Sequence, residues 1–244
     1  MKTWNAAAYE VLGGAERQVE TLAAVTALER RIGQRLPAAV REWYLFGGDR
    51  SLASMNCGLI TQADDFTSRD VGRFLASGYL LVQTDSQYCC RWVVATHTAE
   101  DDPPVHLIDP DDEACTSRSR YAGTFTDYAF TAAWDGVLWN GEMSADFDHP
   151  LPAGALDALG TRLTSLPATH GWAMNQECEV VYRFGGPAKV SITVTDSTAL
   201  WSAIAAPAGA TREALATLIG ATIEDQTPAA ARICHDPRPQ RDRH

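Results

Sequence analysis

Apolar residues recur at steps of three and four near the start of the chain and at steps of two further on. That change of period separates helices from strands. Leu22, Val25, Leu28 and Ile32 form one apolar stripe, which predicts a helix over residues 16–32 with these side chains in the core. Gly33 suits the left-handed exit of that helix. Pro37 suits the first turn of the next, where its missing N–H costs nothing. Val40, Trp43 and Tyr44 then share a face, and Gly47-Gly48 reads as the close of a second helix over 37–46. Residues 1–15 read as a short helix or a loose arm, and Asp70 to Leu75 as one helical turn.

Strands follow. Tyr79 to Val82 and Tyr88 to Val94 predict a pair joined by the polar turn Thr84-Asp85-Ser86-Gln87, and Val105 to Ile108 a third, short strand. Thr124 to Leu138 returns to the helical period, with Thr124 as N-cap. Gly141, Pro150, Pro152 and Gly154 cluster in a break over residues 140–154. Beyond it, Ala155 to Leu166 and Thr211 to Ile219 predict helices, with Thr211 capping the second. Glu177 to Phe184 and Lys189 to Thr195 predict a hairpin around Gly185-Gly186-Pro187. The expected class is α+β, a mostly antiparallel sheet covered by helices on one face. The expected organisation is a first domain over 1–145, a C-terminal α+β extension or small second module over 150–225, and a disordered tail over 226–244.

At 244 residues the chain is long enough for a substantial core. No apolar run approaches the roughly 18 residues that a membrane helix needs. The opening MKTWNAAAYEVLGGAERQ lacks the continuous apolar core of a secretory signal, so a cytoplasmic protein is expected. Six cysteines without any C-x-x-C are expected to be reduced and mostly buried. The net charge of −11 is unevenly placed. Residues 1–150 hold 22 acidic and 12 basic side chains, a net of −10. Such a field repels nucleic acid and membrane surfaces and attracts basic partners.

Motifs for chemistry are missing from the sequence. It contains no nucleophile elbow, phosphate-binding glycine loop or H-E-x-x-H. Its six histidines are scattered with no pair at helical spacing, so no metal or cofactor is expected. Asp109 to Glu113 resembles the start of a calcium loop but has Ala114 where that loop needs glycine. What remains is surface charge. Glu100, Asp101 and Asp102 lie before the short strand and Asp109, Asp111, Asp112 and Glu113 after it. Together they are the candidate docking face for a basic protein partner.

Leu28-Glu29, Ile32-Gly33, Leu36-Pro37 and Trp43 to Gly48 resemble the leading motif of the SUKH superfamily, the Smi/Knr-like domains. Gly78 to Val94 is similar to that family's paired strands and Pro104 to Asp109 to its short strand ending in aspartate. Phe125 to Ala129 is similar to its closing helix. The resemblance covers roughly residues 15–140; the turn at Thr84 to Gln87 departs from it, being glycine-rich in the family. It implies a non-enzymatic binder of the bacterial immunity type that neutralises a toxin domain, often a nuclease. The alternatives are a scaffold or regulatory adaptor on the same fold, or a hydrolase of unrecognised type.

Overall fold

The structure, a computed structural model, describes residues 3–16, 18–55, 59–171, 179–207 and 209–222. It is α+β, with two antiparallel sheets. The first unit begins with α1 (Ala6–Val11), α2 (Val19–Ile32), α3 (Ala38–Leu45) and α4 (Gly48–Ala53). A two-residue strand β1 (Leu59–Ile60), a 3₁₀ turn (Ala63–Thr67) and α5 (Arg69–Ala76) lead into the meander β2 (Tyr79–Thr84), β3 (Arg91–Ala95), β4 (Val105–Ile108) and β5 (Ser119–Ala122). The five strands pair in sequence order.

The stripe on α2 is Thr21, Val25 and Leu28, with Ile32 half-buried. Leu22 is exposed, contrary to expectation, because it sits one position off that stripe. Gly33 caps the helix with φ 76°. The break to α3 is held by Glu29, whose Oε1 accepts from the Leu36 N–H at 3.1 Å and from Arg41 Nε at 3.0 Å. Pro37 is the residue before the helix rather than its first turn. Val40, Trp43 and Tyr44 are buried as expected. Gly47-Gly48 ends α3 and also opens α4. A Cβ on Gly48 would lie 2.2 Å from the Trp43 ring, so only glycine lets the chain turn over that indole. Glu42, buried on α3, accepts from the backbone N–H groups of Trp4 and Asn5 and so ties α1 down.

The hairpin turn falls later than predicted. β2 runs through Thr84, and the chain reverses over residues 85–90, where Asp85 Oδ2 accepts from the Gln87 N–H at 2.8 Å. The first sheet is covered on both faces, not one. Gln83 and Trp92 share a side, which meets α6 (Phe125–Asn140): the Tyr128 hydroxyl donates to Gln83 Oε1 at 2.9 Å. On the other side the Arg91 guanidinium lies 5.2 Å from the Phe74 ring of α5. Thr124 caps α6 as predicted, accepting from the Asp127 N–H at 3.0 Å.

The expected break at 140–154 contains strand β6 (Ser144–Pro150), which belongs wholly to the second sheet and so crosses the expected boundary at 145–150. The second unit continues with α7 (Ala155–Arg162), β7 (Thr164–Ser165), β8 (Thr169–His170), β9 (Val180–Gly185), β10 (Lys189–Thr195), β11 (Thr198–Ala205) and α8 (Ala210–Ile219). Its order is β6-β11-β10-β9-β7, with β8 also on β9. Gly209 rather than Thr211 precedes α8. One face of this sheet packs Val190, Ile192 and Ile204 with Leu159, Leu215 and Ile219 of α7 and α8. The other packs Trp201 and Ala203 on Trp134 and Leu138 of α6. Helix α6 is therefore apolar on several sides and shared by both units. The expected tail over 226–244 lies outside the described residues.

Asp49, at the start of α4, is buried and accepts from the Ala63 N–H at 3.0 Å, while its Oδ1 has no hydrogen-bond partner among the described residues. Burial raises its pKa to about 6. The folded state therefore binds the Asp49 proton more tightly than the unfolded chain does. The stability it contributes is full below the ordinary aspartate range and is lost as pH rises through about 6. From that shift, Asp49→Asn should gain on the parent by roughly 2 kcal/mol between pH 4 and pH 7, read from denaturant unfolding at each pH. Parallel profiles for the two proteins would refute this burial.

Candidate partner-binding surface

The seven predicted docking carboxylates do not form one patch. β4 has four residues and separates the two clusters by about 10 Å of strand. Glu100 and Asp101 are exposed, and the Asp101 carbonyl accepts from the Ala39 N–H at 2.9 Å. Asp102 faces inward. Its carboxylate accepts from the Thr126 N–H at 2.9 Å and the Thr126 hydroxyl at 2.6 Å, fastening the first turn of α6. It serves the fold.

The turn after β4 is built differently. Asp109 Oδ1 accepts from the Asp111 N–H at 2.9 Å, an Asx turn over Pro110. Asp112 Oδ2 accepts from the Ser117 N–H at 2.6 Å, the Ser117 hydroxyl at 2.8 Å and the Thr116 hydroxyl at 3.1 Å. Glu113 pairs with Arg73, and the Ser77 hydroxyl donates to the Glu113 carbonyl at 2.9 Å, so the turn is bolted to α5. The carboxylates of Asp112 and Glu113 are thus taken up internally, whereas Asp109 and Asp111 are exposed on a fixed backbone. Cys115 anchors the turn from below; its thiol is free and burial raises its pKa to about 11. Cys90 is likewise free and buried, raised to about 12 by its surroundings, and Cys89 is free and exposed. Cys57, Cys178 and Cys234 lie outside the described residues.

Other groups missed by sequence reasoning are grouped by the fold. His149 Nε2 and Ser202 Oγ are 2.9 Å apart and buried in the second sheet. The geometry is not that of a hydrolase triad. His149 Nδ1 faces the Pro150 carbonyl at 3.4 Å, and Asp146 instead accepts from the Thr222 and Phe147 N–H groups. Among the described residues no group of three or more His, Cys, Asp or Glu is placed to hold a metal. Among them no helix is long and apolar enough to cross a membrane. On the second unit Trp139 stacks on Trp201 at 4.5 Å, and Phe147, opposite Trp201 on β6, is 59% exposed. The only signal for that patch was the spacing of the aromatics, which core packing explains equally well.

Comparison of the chain with known protein families, with curated proteins and with solved structures finds no match.

Asp112 offers a direct check on the turn. The Ser117 backbone and side-chain hydrogen bonds hold its carboxyl below the ordinary aspartate range. Stability it contributes is therefore present above that range and lost as pH falls through the depressed value. Carboxyl ¹³C titration should show Asp112 titrating low, and Ser117→Ala should move it up toward the ordinary range. An Asp112 that titrates identically in both proteins would show that the turn is not held this way.

Proposed function

We propose that this chain is a non-enzymatic binding protein of the immunity type, which neutralises a basic toxin domain by direct contact in the cytoplasm. The observation that carries the reading is the turn from Asp109 to Glu113. Internal hydrogen bonds fix its backbone while Asp109 and Asp111 remain exposed, in a region whose net charge is −10. A surface organised before contact loses little entropy on binding, and opposite charge speeds encounter.

The SUKH resemblance agrees with this reading. Its Leu28-Glu29 and Leu36-Pro37 pairs have a physical partnership here, since the Glu29 carboxylate holds the Leu36 N–H. The order of helix pair, paired strands, short strand ending before Asp109, and closing helix also agrees with it. One observation favours an adaptor instead: the exposed Phe147 and the Trp139–Trp201 stack offer a second, apolar surface on the other unit.

Co-purification from the native host, followed by co-expression with any basic toxin domain recovered, tests the reading. The chain should restore growth and form a stable complex with that domain. Asp109→Asn combined with Asp111→Asn should slow association by roughly threefold or more at low ionic strength and flatten its salt dependence, with dissociation little changed. Absence of both protection and binding would overturn the immunity reading. Parental kinetics in the double variant would move the contact elsewhere.

A further inference from the structure

The first sheet, in the most acidic part of the chain, gathers basic side chains on the face turned away from α6. Arg91 of β3 lies opposite Ile108, and His106 of β4 lies opposite both Val93 and Arg120 of β5. Residues two apart on a strand, and residues directly opposite, point to one side, so Arg91, His106 and Arg120 share this face. His106 and Arg120 are cross-strand neighbours at about 5 Å, and Arg91 lies on the diagonal from His106 at about 7–8 Å. Arg118, two residues before Arg120, reaches over the same face to lie 5.8 Å from the Tyr79 ring, with its Nη1 donating to the Cys115 carbonyl at 2.8 Å.

This grouping has a cost that the fold does not offset with its own carboxylates. Arg91, Arg118 and Arg120 are in no ion pair among the described residues, although the acidic turn joins β4 to β5. Glu113 of that turn goes to Arg73. His106 Nδ1 and Arg91 Nε are buried with no hydrogen-bond partner among the described residues. Buried polar atoms without partners are rare in folded proteins, and several cations on one face without ion-pair partners repel each other.

We infer that this face is an anion site for a phosphate group, as inorganic phosphate or a phosphate monoester. Arg118 and Arg120 supply forked donors, His106 supplies a ring N–H, and Arg91 adds positive charge from behind. Guanidinium forks match the oxygens of a tetrahedral dianion, and one carboxylate would leave most of this charge unanswered. The site adjoins the proposed docking turn, whose Cys115 carbonyl holds Arg118, but it uses none of the turn's exposed carboxylates. Burial first, and then Arg118 and Arg120, lower the His106 pKa. A bound dianion should reverse that.

Titration of the full chain with inorganic phosphate at constant ionic strength, followed by His106 ring resonances, tests the site. A saturable shift is expected, with the His106 pKa raised in the bound form. Arg120→Gln, at an exposed position, should weaken binding at least tenfold, and Arg118→Gln combined with it should abolish the shift while the melting temperature stays near the parent's. Acetate should give no saturable response. A phosphate response matched by chloride or acetate, or retained in the double variant, would overturn the proposal, as would the absence of any saturable shift. A phosphate monoester binding more tightly than inorganic phosphate would identify an organic ligand as the source of the group.

Discussion

An ion pair of a buried arginine joins the two halves of this molecule, beside the apolar packing of Trp201 and Ala203 on α6. Arg183 of β9 has a side chain that is 1% exposed, and it grips Asp135 of α6 with both ends of its guanidinium, Nε to Oδ1 at 2.8 Å and Nη2 to Oδ2 at 2.6 Å. Its remaining Nη1 donates to the Thr169 hydroxyl of β8 at 3.0 Å. The phenol of Tyr121, from β5 of the other sheet, joins the same group. Burial opposes the charge on Arg183, but Asp135 and Tyr121 outweigh it and keep the guanidinium charged. A fully buried arginine is tolerable only with such a complete set of partners, and loss of one partner leaves a charge stranded. The clamp therefore requires α6, β5, β8 and β9 to meet in one place.

The surfaces described above depend on that meeting. Tyr121 follows directly on Arg120, so whatever fixes β5 against β8 also fixes the arginines that flank His106. The acidic turn joins β4 to β5 and is also bolted to α5 through Arg73, so one of its ends leads into the strand that carries Tyr121. Two surfaces of opposite charge can thus lie close together without collapsing onto each other, because the carboxylates nearest the arginines are already engaged by Ser117, Thr116 and Arg73.

Local signals were legible where the residue itself carries the geometry. Gly33 in the left-handed region and Thr124 on the Asp127 N–H follow from glycine's missing Cβ and threonine's short hydroxyl. Only Leu22 of the expected α2 stripe was misplaced, because Thr21, a polar residue, takes the core place beside it and hands its hydroxyl to the Gln18 carbonyl. Strand β11, Thr-Ala-Leu-Trp-Ser-Ala-Ile-Ala, is buried on both faces and so shows no alternation to read. Strand β6 is polar and ends in proline; it is a strand because β11 pairs with it, which no local pattern records. Asp102 looked like surface charge for the same reason, since its partner Thr126 lies beyond the next two strands. The basic face was hidden because its members come from three strands and become neighbours only through register.

The most direct measurement is hydrogen exchange of the parent and of Asp135→Ala across a denaturant series. With the clamp intact, core amides of β2–β4 and of β9–β11 should open together at one free energy. In Asp135→Ala, with Arg183 left buried and unpaired, the second sheet should open about 3–5 kcal/mol more easily and separate from the first. Two sheets that already open independently in the parent, or that still open together at the parental free energy in the variant, would contradict a molecule held as one unit by this pair.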